Sequence, residues 1–179
     1  MGKDALRGKR VEIRLEEACT APAEVVYDVL ADLPGHMDWA GERLTDNFRL
    51  LSIEPTEARA RVGVEWTSTG ADPGGRFTDR SVVTEAEPGR LLEFVTEARL
   101  EPKKGGDPIA MTVVHRYEIA DGRVAYTWRL TNVSHLPGVM RAMVWPVLGP
   151  MLLKMSSSYS KKGLRSLVAT AEERVPMSK

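Results

Sequence analysis

Asp79, His115, Tyr117 and Tyr126 are the side chains whose types and spacing suit acid–base chemistry or the polar anchoring of a ligand. Their placement follows from turn chemistry. Asp121-Gly122 is the strongest short hairpin signal in the sequence, because both central positions of a type I′ turn need positive φ. Pairing Ala120 with Arg123 then sets Ile119 against Val124, Tyr117 against Tyr126, His115 against Trp128, Val113 against Leu130 and Met111 against Asn132. One face of this hairpin is almost wholly apolar and aromatic and is expected to point inward. Thr112, Arg116, Glu118, Thr127 and Arg129 occupy the other.

The same reasoning at Pro88-Gly89, taken as a two-residue loop with a four-residue loop as the alternative, pairs Val83 with Phe94, Ser81 with Thr96, Asp79 with Ala98 and Phe77 with Leu100 on one face. Arg80 with Glu97, Val82 with Val95 and Thr84 with Glu93 fall on the other. Complementary charge makes that second face the solvated one, with Arg80 and Glu97 as an exposed ion pair. Asp79, Ser81 and Thr96 then look into an otherwise apolar interior.

Each candidate keeps two readings. His115 is a neutral core histidine with one bonded nitrogen, or an anchor or general base for a ligand. Tyr117 and Tyr126 form a cross-strand aromatic pair whose hydroxyls need partners, from the protein or from a ligand. Asp79 is a carboxylate in a low-dielectric cavity, or a residue at the mouth that still meets water. Met140, Met143, Met151 and Met155 recur at roughly helical spacing, as core filler or as the adaptable wall of a cavity. Trp39, Trp66 and Trp145 read as packing.

Other chemistries find no residues. Cys19 is the single cysteine, and His36, His115 and His135 show no ligand spacing, so neither a disulfide nor a metal centre is expected. Twenty-five basic and 25 acidic residues cancel, which leaves no basic footprint for nucleic acid. No nucleotide, cofactor or nucleophile-elbow motif occurs, so no cofactor is expected. Met1–Arg10 lacks an apolar signal region, and the expectation is a cytoplasmic protein. The apolar stretch Leu136–Met155 carries three prolines, Arg141 and Lys154; it reads as buried helix, and no integral membrane segment is expected.

These residues must be positioned by elements legible in the pattern. Val11, Ile13 and Leu15 alternate with charged residues as a first strand. Thr20 offers a helix cap before Pro22, and a helix follows to about Ala31. Pro34-Gly35 breaks it, and His36–Ala40 adds a short helical turn carrying Trp39. Six further strands are expected at about 47–53, 58–69, 76–86, 90–100, 109–120 and 123–133, joined by hairpins into an antiparallel sheet. A long helix then runs from about Pro146 to Glu173, with Leu148, Met151, Leu152, Met155, Tyr159 and Gly163 along one face; Gly163 is expected to let it approach the sheet. At 179 residues, with no linker or repeat, one domain is expected, its core at about 11–173.

This order of elements resembles the START-like, or SRPBCC, superfamily. Thr20-Ala21-Pro22-Ala23-Glu24-Val25-Val26-Tyr27-Asp28-Val29-Leu30-Ala31-Asp32 is similar to that family's opening, and Glu85-Ala86-Glu87-Pro88-Gly89-Arg90-Leu91-Leu92-Glu93-Phe94 to its mid-sheet hairpin. The resemblance spans about Val11–Glu173. It implies an α+β helix-grip fold: a curved antiparallel sheet of about seven strands around a long C-terminal helix, with two short helices after the first strand and an apolar cavity between. It does not imply one activity, since the superfamily holds lipid carriers, plant hormone receptors, polyketide cyclases and chaperone activators.

Three functions fit. The first is binding of a small hydrophobic or amphipathic molecule in that cavity, lined by Phe94, Asp79, His115, Tyr117, Tyr126, Trp128, Met151, Met155 and Tyr159. The second is a polyketide cyclase or aromatase that uses the same cavity, and the third a partner-binding module whose cavity is filled by side chains. Ligand identity and oligomeric state are left open by these residues.

Overall fold

The computed structural model describes residues 11–42, 49–71, 75–134 and 149–175. β1 (Val11–Ala18) keeps the expected alternation, Val11 and Ile13 buried and Glu12 and Arg14 exposed. It pairs with no near neighbour in the chain. Its antiparallel partner is β7 (Arg123–Ser134), Ile13 lying opposite Trp128 and Leu15 opposite Tyr126.

Helix α1 (Ala23–Ala31) starts one residue later than expected, with Pro22 at the cap position and no side-chain cap. Thr20 is therefore not the cap. Its amide and hydroxyl both donate to Oε1 of Glu172, each at 2.8 Å, and so tie the entry of α1 to the far end of the terminal helix. After Pro34-Gly35 the chain makes a short π-helical turn, Met37–Glu42, which buries Trp39. His36 is buried beside it, Nε2 donating to the Leu30 carbonyl at 2.8 Å and the ring 4.9 Å from Trp39.

β2 (Arg49–Pro55) and β3 (Glu65–Ala71) follow. The strand expected from residue 58 begins only at Glu65. Ala58, Ala60 and Val64 alternate like a strand, but Ala60 donates to the Ala31 carbonyl at 2.7 Å and Leu33 to Ala58 at 2.9 Å. The segment is thus held by the end of α1, and Gly63 at φ +87° turns it. Four longer strands complete the sheet: β4 (Gly75–Glu87), β5 (Leu91–Pro102), β6 (Ile109–Ala120) and β7. Every pairing is antiparallel, and the order is β1-β7-β6-β5-β4-β3-β2.

The β6–β7 register is the expected one from Ala120–Arg123 to Val113–Leu130, with Gly122 at φ +76°. Beyond that a bulge at Thr131 moves Met111 from Asn132 to Val133, which keeps an apolar residue on the inner face. The β4–β5 connection is a three-residue turn, Pro88-Gly89-Arg90, not the expected two. A bulge at Thr84 absorbs the extra residue, so Val83–Phe94, Ser81–Thr96, Asp79–Ala98 and Phe77–Leu100 pair as expected while Glu93 faces Glu85. Thr84 still donates to Glu93 at 2.9 Å.

The terminal helix α2 (Gly149–Glu173) is 25 residues, about 37 Å long. Leu164, Leu167, Val168 and Ala171 are buried with α1 and with Leu92, Tyr117, Val124 and Tyr126 of the inner face. Gly163 has no close neighbour: a Cβ there would meet nothing within 4 Å, so the expected close approach does not depend on it. Gly70 is the glycine the packing needs, since its Cβ would lie 1.9 Å from the Phe77 ring. On the outer face Arg116 is not freely solvated but reaches Glu85 at 2.9 Å and Glu93 at 3.1 Å. Arg80 pairs with Glu65 of β3 at 2.7 Å rather than with Glu97, which stands directly opposite it on β5.

Candidate ligand site on the inner face of the sheet

Strand alternation and register lay the inner-face residues out in transverse rows. Ala86, Leu92, Tyr117, Tyr126 and Leu15 form one row, and Val83, Phe94, His115, Trp128 and Ile13 the next. Trp66, Ser81, Thr96, Val113, Leu130 and Val11 follow, then Ser68, Asp79, Ala98, Met111 and Val133. Polar side chains thus run diagonally across an apolar wall, from Tyr126 and Tyr117 through His115 and Thr96–Ser81 to Asp79 and Ser68.

Beneath α2 the wall is sealed. Tyr117 and Tyr126 are buried with ring centroids 4.6 Å apart, and desolvation raises both phenol pKa values, so the hydroxyls stay protonated. A hydrogen bond with Ser160 of α2 opposes the rise at Tyr126 and links strand to helix. Nδ1 of His115 and the Tyr126 hydroxyl are hydrogen-bonded at 2.8 Å, and on a neutral ring either atom can donate. Phe94 stacks on the imidazole at 4.7 Å and 13°. Burial pushes the His115 pKa down to about 3, so the ring is neutral throughout the physiological range.

Away from that end the wall opens. His115 and Trp128 are only half-buried, as are Met111, Ile109, Ala98 and Leu100 on the same face. Val11, Val113, Leu130 and Val133 form a second apolar cluster there, separate from the main core, and Trp128 packs on both. Ser81 and Thr96 are buried and satisfy one another at 2.9 Å. Asp79 is different: its Oδ1 is shut off from water with no hydrogen-bond partner, and desolvation raises its pKa from 3.8 to about 7. The residue as a whole is half-buried, with one carboxyl oxygen enclosed and the rest of the side chain at the edge of the open part of the wall.

This architecture is similar to that of several solved structures. The Zhui aromatase/cyclase from Streptomyces sp. R1128 superposes with a TM-score of 0.66 at 17% identity, over 94% of this chain and 98% of that one. The ginseng major latex-like protein 151 from Panax ginseng gives 0.60 at 10% identity, over 92% and 99%. A protein of uncharacterised function from Rhizobium leguminosarum gives 0.61 at 14%, over 93% and 97%.

The chain shares the helix-grip fold of these structures. These likenesses at 10 to 17% identity carry the fold; no family model and no curated protein matches the sequence.

Within this helix-grip frame Phe94, His115, Tyr117, Tyr126, Trp128 and Asp79 share one face, as the alternation required. Tyr159 lies half-buried on α2. Met151 and Met155 fall in the first turns of α2 with side chains outside those described, and Leu148, Met140, Met143, Trp145 and His135 lie outside the described residues. Ser68 and Ser160 escaped the sequence reading. Ser68 follows from the β3–β4 register, but Ser160 needed the rotational setting of α2, which strand periodicity cannot supply. Trp66 is buried in the core cluster, its ring edge-on to Phe94 at 4.9 Å, in keeping with a packing role. A surface hollow of about 460 Å³ lined by Tyr27, Arg59, Val62 and Pro88 lies at the opposite end of β4 from Asp79 and shares none of these candidates. Among the described residues no His, Cys, Asp and Glu cluster could hold a metal, and no helix is long and apolar enough to cross a membrane.

Proposed function

We propose that this helix-grip chain binds a small hydrophobic or amphipathic molecule between the inner face of the sheet and α2. The observation that carries this reading is the half-covered wall: Trp128, Met111, Ile109 and Leu100 point inward from contiguous rows yet are not sealed by the protein's own core. Large apolar side chains left in this state gain about 25 cal/mol for each Å² that a ligand removes from water. The polar diagonal supplies orientation.

A second reading, a polyketide cyclase or aromatase type of enzyme, is favoured by one observation, the carboxyl of Asp79 with a pKa of about 7, where a general base works well. His115, with a pKa of about 3, is suited to hydrogen bonding and not to carrying protons near neutrality. Binding is therefore the primary role, with any catalysis built on it.

Native mass spectrometry of protein purified under mild conditions tests the proposal. A retained molecule below about 1 kDa, lost from a Trp128→Asp variant that remains folded, is the expected result. A ligand-free protein that also fails to bind neutral apolar probes saturably overturns it and leaves the partner-binding reading.

A further inference from the structure

The inner faces of β3, β4, β5 and β6 carry one carboxylate and no cation among the described residues. That carboxylate is Asp79. Phe77 and Ser81 flank it along β4, Ser68 and Ala98 stand opposite on β3 and β5, and Met111 lies one strand further. None of these is titratable, and the hydroxyl of Ser81 is engaged with Thr96. The remaining ionisable groups of the face are His115, Tyr117 and Tyr126, all neutral near pH 7. Glu17, on β1, is ion-paired with Arg165 of α2, and Lys154, Lys161 and Lys162 of α2 are exposed.

A buried carboxylate oxygen with no partner is costly, and a native structure that retains one calls for a functional explanation, of which a ligand group that completes it is one. Resting on the cavity reading above, we propose that the ligand is a cationic amphiphile, an apolar body with a protonated amine that pairs with Asp79. The apolar body covers Trp128, Met111 and Leu100, and the ammonium supplies the counter-charge and donors that the described residues around Asp79 do not. In a low-dielectric site this pairing outweighs a neutral hydroxyl's single hydrogen bond. Above the Asp79 pKa it also disfavours fatty acids, whose carboxylate would meet like charge and, among the described residues of the wall, no cation.

The burial of Asp79 makes the pairing pH-dependent. Its pKa of about 7 means that the wall is neutral at pH 5.5 and carries one negative charge at pH 8, while His115 and the tyrosines do not titrate between. Decylamine, decanol and decanoate share one tail length and are measured by calorimetry at both pH values. At pH 8 the amine is expected to bind about tenfold more tightly than decanol, with decanoate weakest. At pH 5.5 the amine's advantage is expected to shrink to about twofold, the linkage consequence of protonating a group whose pKa is about 7. Asp79→Asn is expected to abolish the preference for amine at pH 8 while decanol affinity stays within about twofold. Decanoate binding as tightly as decylamine, an amine preference that survives at pH 5.5, or unchanged amine affinity in D79N overturns the inference. Decanol that binds without any amine preference sinks the cationic ligand alone, whereas failure of all three tails to bind sinks the cavity reading with it.

Discussion

Nδ1 of His115 lies 2.8 Å from the hydroxyl of Tyr126, two residues on adjacent strands whose side chains occupy diagonal positions on the inner face. Because Tyr126 also meets Ser160, one hydroxyl connects the imidazole, the sheet and the terminal helix. Tyr126→Phe keeps the ring and leaves both partners unmatched. The expected loss is about 1–3 kcal/mol of stability in urea titrations. An unchanged midpoint would mean that water or a rearranged Ser160 replaces the hydroxyl without cost.

Asp79 sets the sign of a pH effect on stability. Its folded pKa, about 7, is above the ordinary carboxyl value of 3.8, so between these pH values the unfolded chain loses a proton that the folded one keeps. Its contribution therefore weakens stability as pH rises from about 4 to about 7. In the ligand-free protein Asp79→Asn should gain on the wild type across that window and hold a constant advantage above it. Parallel unfolding curves at pH 4.5, 6 and 8 check this; a difference independent of pH refutes the buried, unpartnered carboxyl.

Gly70 and Phe77 are coupled by contact. A Cβ on Gly70 would lie 1.9 Å from the ring, so Gly70→Ala should destabilise by about 1–3 kcal/mol. In a Phe77→Ala background the same substitution should cost little. A double-mutant cycle in urea measures the coupling, and additivity would place the Phe77 ring elsewhere.

Thr20 and Glu172 join the start of α1 to the end of α2. Two hydrogen bonds from Thr20 lower the Glu172 pKa, so their contribution is present above the unfolded carboxyl pKa and disappears as pH falls through the folded one. Thr20→Val removes one bond. The pair is exposed, so the loss should stay below about 1 kcal/mol at neutral pH and vanish in acid, as thermal melts at pH 7 and pH 3 would register. An equal loss at both would assign the effect to packing.

Much of the candidate site was legible before any coordinates. Asp121-Gly122 and period-two alternation place His115, Tyr117, Tyr126 and Trp128 on one face, because a tight turn leaves the strands a single register that buries the apolar set. The same logic located Asp79 beside Ser81, and it succeeded even though the turn at Pro88 has three residues. The bulge at Thr84 restored the count, driven by the requirement that Val83 and Phe94 both stay in the core.

Tertiary structure decided what local pattern could not. The segment at 58–64 has a strand's alternation but lies against the end of α1, where backbone bonds to Ala31 and Leu33 replace a ladder. Thr20 has a cap's chemistry, yet Glu172, 152 positions away, offers a charged acceptor for both its donors. Arg80 turned to Glu65 on β3 although Glu97 stands directly opposite it on β5, a choice that strand alternation leaves open. The state of Asp79 is the largest such decision. Alternation fixes the direction of its side chain, but the lack of a counter-ion among the described residues and the rise of its pKa depend on which groups β3, β5 and β6 bring opposite, and those contacts exist only once the sheet is assembled.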